Sequence, residues 1–456
     1  MPVRIPYPYF ELRFDAKGTP ADAAQLPTLL DGLTRHAVTD LFVVSHGWNN
    51  DPTEAHALYE ELFKNVKAQE SRVNVAGRTF AVAGIIWPSK KFDVAEDSPN
   101  AASLRGSKKL ARLSEQIDTL REFLSAGGSA AKHRKELDRA KALIPKLETS
   151  AAARREFGRI LLARLPKSTG EEGGWFIPAK AATGMMANDR LLADLGSPPP
   201  KAATKGQGGA TTIGGRKKAA AAAHTYQGAA GIGDFFKGVV AGASNLLNYV
   251  TYYQMKDRAG IVGRNGVNEV LRQVRASRPA VRLHLVGHSF GCRVVTSAAS
   301  GTAATPAGFV DSMTLLQAAF SHYAFAAKYD NSNKPGFFRN LLSEHRVRGP
   351  IVVTHTRADK AVGVAYAIAS RVARQIAAAI GDRDDPFGGL GANGARKTDE
   401  ARDGKLPKPG AAFDQPIASG MVTNLLADGL IASHSDVRNP AAAHTVLSVA
   451  AAAGGR

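Results

Sequence analysis

Leu285-Val286-Gly287-His288-Ser289-Phe290-Gly291-Cys292 is the stretch on which the fold turns. Its centre, Gly287-His288-Ser289-Phe290-Gly291, has the G-x-S-x-G spacing of a sharp strand-to-helix turn that presents a serine hydroxyl. Five letters are a weak signal in a chain with 45 glycines, so the flanks decide. Val281-Arg282-Leu283-His284-Leu285-Val286 alternates and is rich in β-branched and large apolar residues, which predicts a strand. Cys292-Arg293-Val294-Val295-Thr296-Ser297-Ala298-Ala299 predicts a buried helix. A serine in such a turn is strained, and side chains two residues to either side would collide. Glycines at 287 and 291 remove both collisions. The bland alternative is an ordinary glycine-rich turn.

Upstream, Leu41-Phe42-Val43-Val44 is a continuous apolar run, as expected of a central parallel strand covered on both faces. It ends in Ser45-His46-Gly47-Trp48-Asn49-Asn50. The loop after such a strand can offer a backbone N–H to a developing oxyanion. Trp48 is the first candidate donor and Gly47 the second, with Phe290, directly after the serine, as the other donor. Residues 7–14 read as an edge strand in which Pro8 is tolerated. Residues 21–36 and 52–69 read as helices, and 80–89 as a buried strand stopped by Pro88. Strands and helices in alternation predict a parallel sheet with crossover helices.

From about residue 92 to 260 that rhythm breaks. Residues 101–126 and 132–165 have helical spacing, with Leu110, Leu113, Ile117, Leu120 and Leu124 on one stripe and many Lys and Arg opposite. Residues 201–231 are low-complexity and read as a linker or loop. Residues 235–255 return to helical spacing. We read 93–259 as a basic, helical insertion, a lid or cap, between core parts 1–92 and 260–456.

After the serine turn, residues 311–320 read as a strand followed by Ser321 and His322. Residues 349–359 read as a strand with Asp359 just past its end. A helix is expected over 362–380, a polar loop over 381–410 and the last strand within 417–431. That strand leads into Ser433-His434-Ser435-Asp436 and a closing helix, 440–452. A serine hydroxyl needs a base, and the base needs an orienting acid. On an open α/β sheet these groups come from loops at the carboxyl ends of strands. Asp359 and His434 both lie at such ends. Of 12 histidines, His434 alone lies between a late strand and the terminal helix. His444 and His322 are its rivals. His46 is expected to shape the oxyanion loop, His288 to point away from the exposed side of the serine, and His355 to lie mid-strand. Asp330 and Asp436 rival Asp359, although Asp436 can instead hold the His434 loop.

Lys and Arg number 59 against 40 Asp and Glu, a net charge of +19. Such a balance suits nucleic acid, an anionic membrane or an acidic partner. No nucleic-acid motif accompanies it, so no nucleic-acid partner is expected. An anionic membrane surface, met through the basic insertion, stays a candidate partner. The single cysteine, Cys292, excludes an internal disulfide and a cysteine-based metal site, and reads as a small buried side chain. No cofactor and no metal are expected. Gly389-Leu390-Gly391-Ala392-Asn393-Gly394 fits G-x-G-x-x-G, but no strand precedes it and no apolar helix follows, so a solvated loop is expected. Asp382-Arg383-Asp384-Asp385 lacks calcium-loop spacing. No signal peptide or transmembrane span is read, so a cytoplasmic location is expected, with signal-independent export left open.

Taken together, Phe42-Val43-Val44-Ser45-His46-Gly47-Trp48-Asn49, Ile86-Trp87-Pro88-Ser89, the serine turn, Asp359 and His434 resemble the α/β-hydrolase superfamily. They are most similar to bacterial serine hydrolases with a His-Gly-aromatic-Asn loop and a Trp-Pro-Ser strand end. The resemblance covers residues 1–92 and 260–456. It implies an α/β fold with a mostly parallel, doubly wound sheet and a large helical insertion before the nucleophile strand. It also implies a Ser289–His434–Asp359 triad and an acyl-enzyme route. An esterase or lipase acting on a small-molecule or lipid ester is the expectation. Alternatives are a thioesterase or peptidase on the same scaffold, or a membrane- or partner-binding protein with a vestigial core.

Overall fold

In the computed structural model, which describes residues 3–89, 106–124, 130–166, 190–196, 238–329, 333–359 and 388–455, eight strands form one all-parallel sheet. They are β1 (Tyr9–Arg13), β2 (Asp40–Ser45), β3 (Phe80–Ile86), β4 (Arg282–His288), β5 (Ser312–Leu316), β6 (Ile351–His355), β7 (Ala401–Lys405) and β8 (Val422–Leu426). Their spatial order is β1-β3-β2-β4-β5-β6-β8-β7. Before β4 the chain adds strands on one side of β2. From β4 onward it adds them on the other. An open parallel sheet leaves a crevice at its carboxyl edge where the order reverses in this way. In the β2–β4 register Ser45 pairs with Gly287, so the loops after the two strands leave the sheet side by side.

The period-two alternation of a strand gives each face its own core. Leu41, Val43, Ala83, Ile85, Leu283 and Leu285 belong to one buried cluster. Phe42, Val44, Val82, Ile86 and Val286 belong to another. Helix α1 (Gln25–Arg35) packs on the first face and α2 (Pro52–Ala68) on the second. Asp51 and Glu54 form a reciprocal capping box at the start of α2, with Pro52 at the first helical position, so its boundary is set locally.

Between β3 and β4 the described residues are helical: α3 (Gly106–Leu124), α4 (Ala130–Leu143), α5 (Ala151–Leu162), α6 (Leu191–Leu195) and α7 (Val239–Ile261). The expected stripe on α3 is real, with Leu113, Ile117 and Leu120 buried. The single helix expected over 132–165 is broken. Pro145 lies in a tight turn, Ile144–Lys146, and Ser150 caps α5 by accepting from the Ala153 N–H. The buried side chains of these helices are continuous with the cluster on the first face of the sheet. A π-helical turn, Val262–Val267, joins α7 to α8 (Asn268–Ser277), which leads into β4. After the serine turn, α9 (Phe290–Ser300) is buried nearly throughout. The chain closes on α10 (Pro440–Ala452), capped by Asn439 and packed on the second face. Among the described residues, no helix is long and apolar enough to cross a membrane.

Two expectations about the later chain are corrected. Strand β7 falls in the segment read as a polar loop. Its sequence, Ala401-Arg402-Asp403-Gly404-Lys405, has no apolar alternation because it is an edge strand with both faces largely exposed. The Gly389–Gly394 segment is not a solvated loop either. Leu390 and Gly391 are buried, and a Cβ on Gly391 would come within 2.5 Å of the Gln317 carbonyl carbon. The linker read at 201–231, the helix at 362–380, Asp330 and the acidic run at 382–385 lie outside the described residues.

At the amino edge of the sheet Asp40 is fully buried. Its carboxylate accepts from Arg282 Nε at 2.7 Å, His284 Nε2 at 2.8 Å and Arg78 Nη1 at 3.0 Å. Arg78 also donates to the carbonyls of Ala450, Ala451 and Ala453 at the end of α10. One carboxylate thus ties β2, β4 and the last helix together.

Candidate active site

Ser289 follows β4 directly and has φ 56° and ψ −122°, a conformation rarely adopted by residues with a side chain. The neighbouring strand end holds it there. The Ser289 N–H donates to Leu316 O at 3.1 Å, and the Ser289 carbonyl accepts from Ala319 N–H at 3.2 Å. Both flanking glycines are sterically required. A Cβ on Gly287 would lie 2.4 Å from Cys292 Cα, and one on Gly291 would lie 2.1 Å from Ser45 O. Gly47 meets a side chain first: its Cβ would lie 2.7 Å from Ser289 Cβ, against 3.2 Å from the nearest backbone atom, His288 O. The loop after β2 therefore rests on the serine itself.

That loop is built by the two motifs that flank β2 and end β3. The His46 ring stacks on Trp87, with centroids 5.6 Å apart and planes 14° apart. His46 Nδ1 lies 2.9 Å from Gly47 O. Asn50 Nδ2 donates to Trp48 O at 3.0 Å, and Ser89 Oγ donates to Asn50 O at 2.9 Å. The peptide plane is rigid, so a Gly47 carbonyl turned toward His46 sends the Trp48 N–H the opposite way. Burial pushes the His46 pKa down to about 4, which keeps the ring a neutral structural element.

The candidate acid and base come from distant loops. His434 Nδ1 donates to Asp359 Oδ2 at 2.8 Å. Asp359 is 3% exposed. The same oxygen accepts from Gln317 Nε2 at 3.4 Å. Gln317 has φ 49° and is pinned by Thr354, whose Oγ1 donates to Gln317 Oε1 at 3.0 Å. Asp428 buttresses the loop before Asp359, accepting from Thr356 Oγ1 at 2.7 Å and Arg357 N–H at 3.0 Å. Asp436 accepts from Ala432 N–H and from Asn439, so it holds the His434 loop.

Ser289, Phe290, Trp48 and His434 line one cleft of about 590 Å³ at the β2–β4 reversal. The structure thus brings together Ser289, His434, Asp359, Phe290, Gly47 and Trp48. The rival histidines lie elsewhere. His322 is buried against Asn393, and His444 points to Ala411 O from within α10. His355 is the last residue of β6, not a mid-strand residue, and lines a separate depression with Arg357 and Arg396. The expectation for His288 is corrected. Its ring turns toward His434, and Nε2 lies 2.8 Å from His434 O. His288 is the last residue of β4, and what its ring meets there is a loop from a distant part of the chain, which the strand's own pattern does not reveal.

Sequence reasoning also missed Gln317, Asp428 and Tyr252. The first two are polar residues beside strand ends, without a motif. Tyr252 comes from α7 and lines the cleft. Its ring lies 4.9 Å from Phe290 and 6.0 Å from Trp48, centroid to centroid. Glu54 and Arg438 lie among the polar lining residues. Among the described residues, no group of three His, Cys, Asp or Glu is arranged to hold a metal ion. In comparisons with known proteins the chain matches no protein-family profile, no curated protein sequence and no solved structure.

Proposed function

We propose that this chain is a serine hydrolase of the α/β-hydrolase type that cleaves a carboxylic ester through an acyl-enzyme intermediate. One observation carries the proposal. Ser289, held in a strained turn at the head of α9, shares a cleft with His434, whose Nδ1 is bonded to the buried Asp359. The central position of β4 between β2 and β5 supports the fold assignment.

In this mechanism His434 Nε2 takes the Ser289 proton as Oγ attacks the ester carbonyl. Asp359 keeps the proton on Nδ1 and stabilises the imidazolium that forms. The Phe290 N–H opens α9 and, like other first-turn amides, has no acceptor within its helix. It and the Trp48 N–H receive the negative charge of the tetrahedral intermediate. His434 then returns the proton to the departing alkoxide oxygen. Water, deprotonated by the same base, attacks the acyl-serine and releases the acid. We read α3–α7 as a cap on the core, with Tyr252 its contribution to the cleft wall.

The test is labelling with a fluorophosphonate probe followed by mapping of the modified residue, together with turnover of p-nitrophenyl acetate. Label on Ser289, and loss of both label and turnover in Ser289→Ala, is the expected result. Full turnover by Ser289→Ala would overturn the proposal.

A further inference from the structure

The residue before the serine, His288, sits between the two loops that meet over it. Its ring is 6% exposed. Nε2 donates to the His434 carbonyl at 2.8 Å, and the two imidazole rings lie 4.9 Å apart between centroids. On its other side, Nδ1 lies 3.3 Å from the position that a Cβ on Gly47 would take. That nitrogen is buried without a hydrogen-bond partner among the described residues. A buried ring nitrogen without a partner is destabilising, and an apolar side chain would avoid that penalty. The group that justifies a histidine at this position is therefore Nε2–H.

A carbonyl acceptor fixes Nε2 as the protonated nitrogen of a neutral ring. Burial, helped by the neighbouring His434, pushes the His288 pKa down to about 3. The ring therefore stays a neutral donor over the pH range in which a histidine base works. It also adds no positive charge beside His434 when that ring becomes an imidazolium.

We infer that His288 is a positioning residue that ties the His434 main chain to the turn carrying Ser289, and so holds the spacing between base and nucleophile. Asp359 orients the His434 ring from one side, and His288 holds its backbone from the other. The inference rests on the serine-hydrolase proposal above. It assigns a role to the variable residue of the G-x-S-x-G turn in this chain.

Two matched amides test it. In His288→Gln the side-chain amide nitrogen falls near the position of Nε2 and keeps a donor within reach of the His434 carbonyl. In His288→Asn the amide is one methylene short and cannot reach. Misplacement of a catalytic group by about 1 Å lowers rates by up to about 10²-fold, so kcat on p-nitrophenyl acetate is expected to fall roughly 10- to 100-fold in His288→Asn. KM should change by less than about 2-fold, because uniform substrate binding is untouched. His288→Gln should stay within about 5-fold of the wild-type kcat by the same reasoning. Thermal denaturation reports whether each variant is folded. Equal kcat in both variants, or failure of both to fold, would overturn the inference in favour of simple packing. Ser289→Ala separates the two claims. If it keeps turnover, the hydrolase proposal fails. If it is inactive while His288→Asn matches wild type, only the role of His288 fails.

Discussion

Nδ1 of His434 lies 2.8 Å from Oδ2 of Asp359, a contact between residues 75 positions apart in the chain. The carboxylate side chain is fully buried, whereas the His434 side chain is 18% exposed, so the ring opens to the cleft from a fixed anchor. An amide in place of the carboxylate can donate to Nδ1, which favours the tautomer protonated on Nε2, and it stabilises no imidazolium. We expect Asp359→Asn to lower kcat for p-nitrophenyl acetate by about 10³- to 10⁴-fold. Steady-state kinetics check this, with KM expected to change little.

Gly47 and Gly291 give opposite failures. A Cβ on Gly291 would press into backbone, 2.1 Å from Ser45 O and 2.5 Å from His46 O. Gly291→Ala is therefore expected to reduce folded yield or to destabilise by several kcal/mol, of the order of 3. A Cβ on Gly47 instead meets the serine side chain first. Gly47→Ala should fold, because the loop can shift, and, on the proposed mechanism, should lose about 10-fold or more in kcat as the Trp48 N–H and Ser289 separate. Urea unfolding and ester turnover, measured on both variants, distinguish the outcomes.

Acid should destabilise the fold in two stages. Burial holds His46 and His355 near pKa 4 and His288 near 3, all below the ordinary value of 6.5. The unfolded chain takes up these protons first, so stability is complete above pH 6.5 and declines as pH falls toward 4. Asp40 adds the second stage. Burial alone would raise its pKa, but hydrogen bonds from His284, Arg282 and Thr39 outweigh that and hold the carboxyl well below its ordinary value. Its stabilisation is present above the unfolded value, near 4, and is lost below it. Urea midpoints between pH 3 and 8 should decline from about 6.5 and steepen below about 4. Asp40→Asn should already be weaker at neutral pH by about 3 kcal/mol, since it leaves Arg282 and Arg78 without their buried anion.

Tyr252 packs on Phe290 and Trp48 and its hydroxyl lies 3.5 Å from Ala319 O, across the cleft wall. Removing the ring enlarges the cleft beside Ser289. Tyr252→Ala is expected to shift preference along a p-nitrophenyl ester series toward longer acyl chains, by about 10-fold in the kcat/KM ratio of octanoate to acetate. Tyr252→Phe keeps the ring and should leave that ratio within about 2-fold. An unchanged ratio in Tyr252→Ala would remove Tyr252 from the acyl wall.

Local steric and patterning demands were legible in the chain. Leu41–Val44 carries the apolar continuity of a central parallel strand and the strand before Ser289 alternates, and apart from Arg282 both are buried. Gly287 and Gly291 are spaced as a strained serine turn requires, and a Cβ at either position collides. The alternation of strands and helices up to Ile86 implied a parallel sheet. Edge strand β7 was not legible, because a strand with two wet faces needs no hydrophobic pattern. The break at Pro145 and Ser150 lay inside a segment whose apolar spacing alone looked continuous.

The sequence by itself determined the α/β class, the turn that carries Ser289 and the chain order of Ser289, Asp359 and His434. The class and the turn depend on residues close in sequence, whose sterics and periodicity act locally. Tertiary structure alone decided which histidine meets which acid, that Gln317 braces Asp359 and Asp428 the loop before it, that His288 grips the His434 main chain and that Tyr252 reaches the cleft from α7. Those contacts join loops from different strand ends, and only closure of the whole sheet brings such loops within hydrogen-bonding distance.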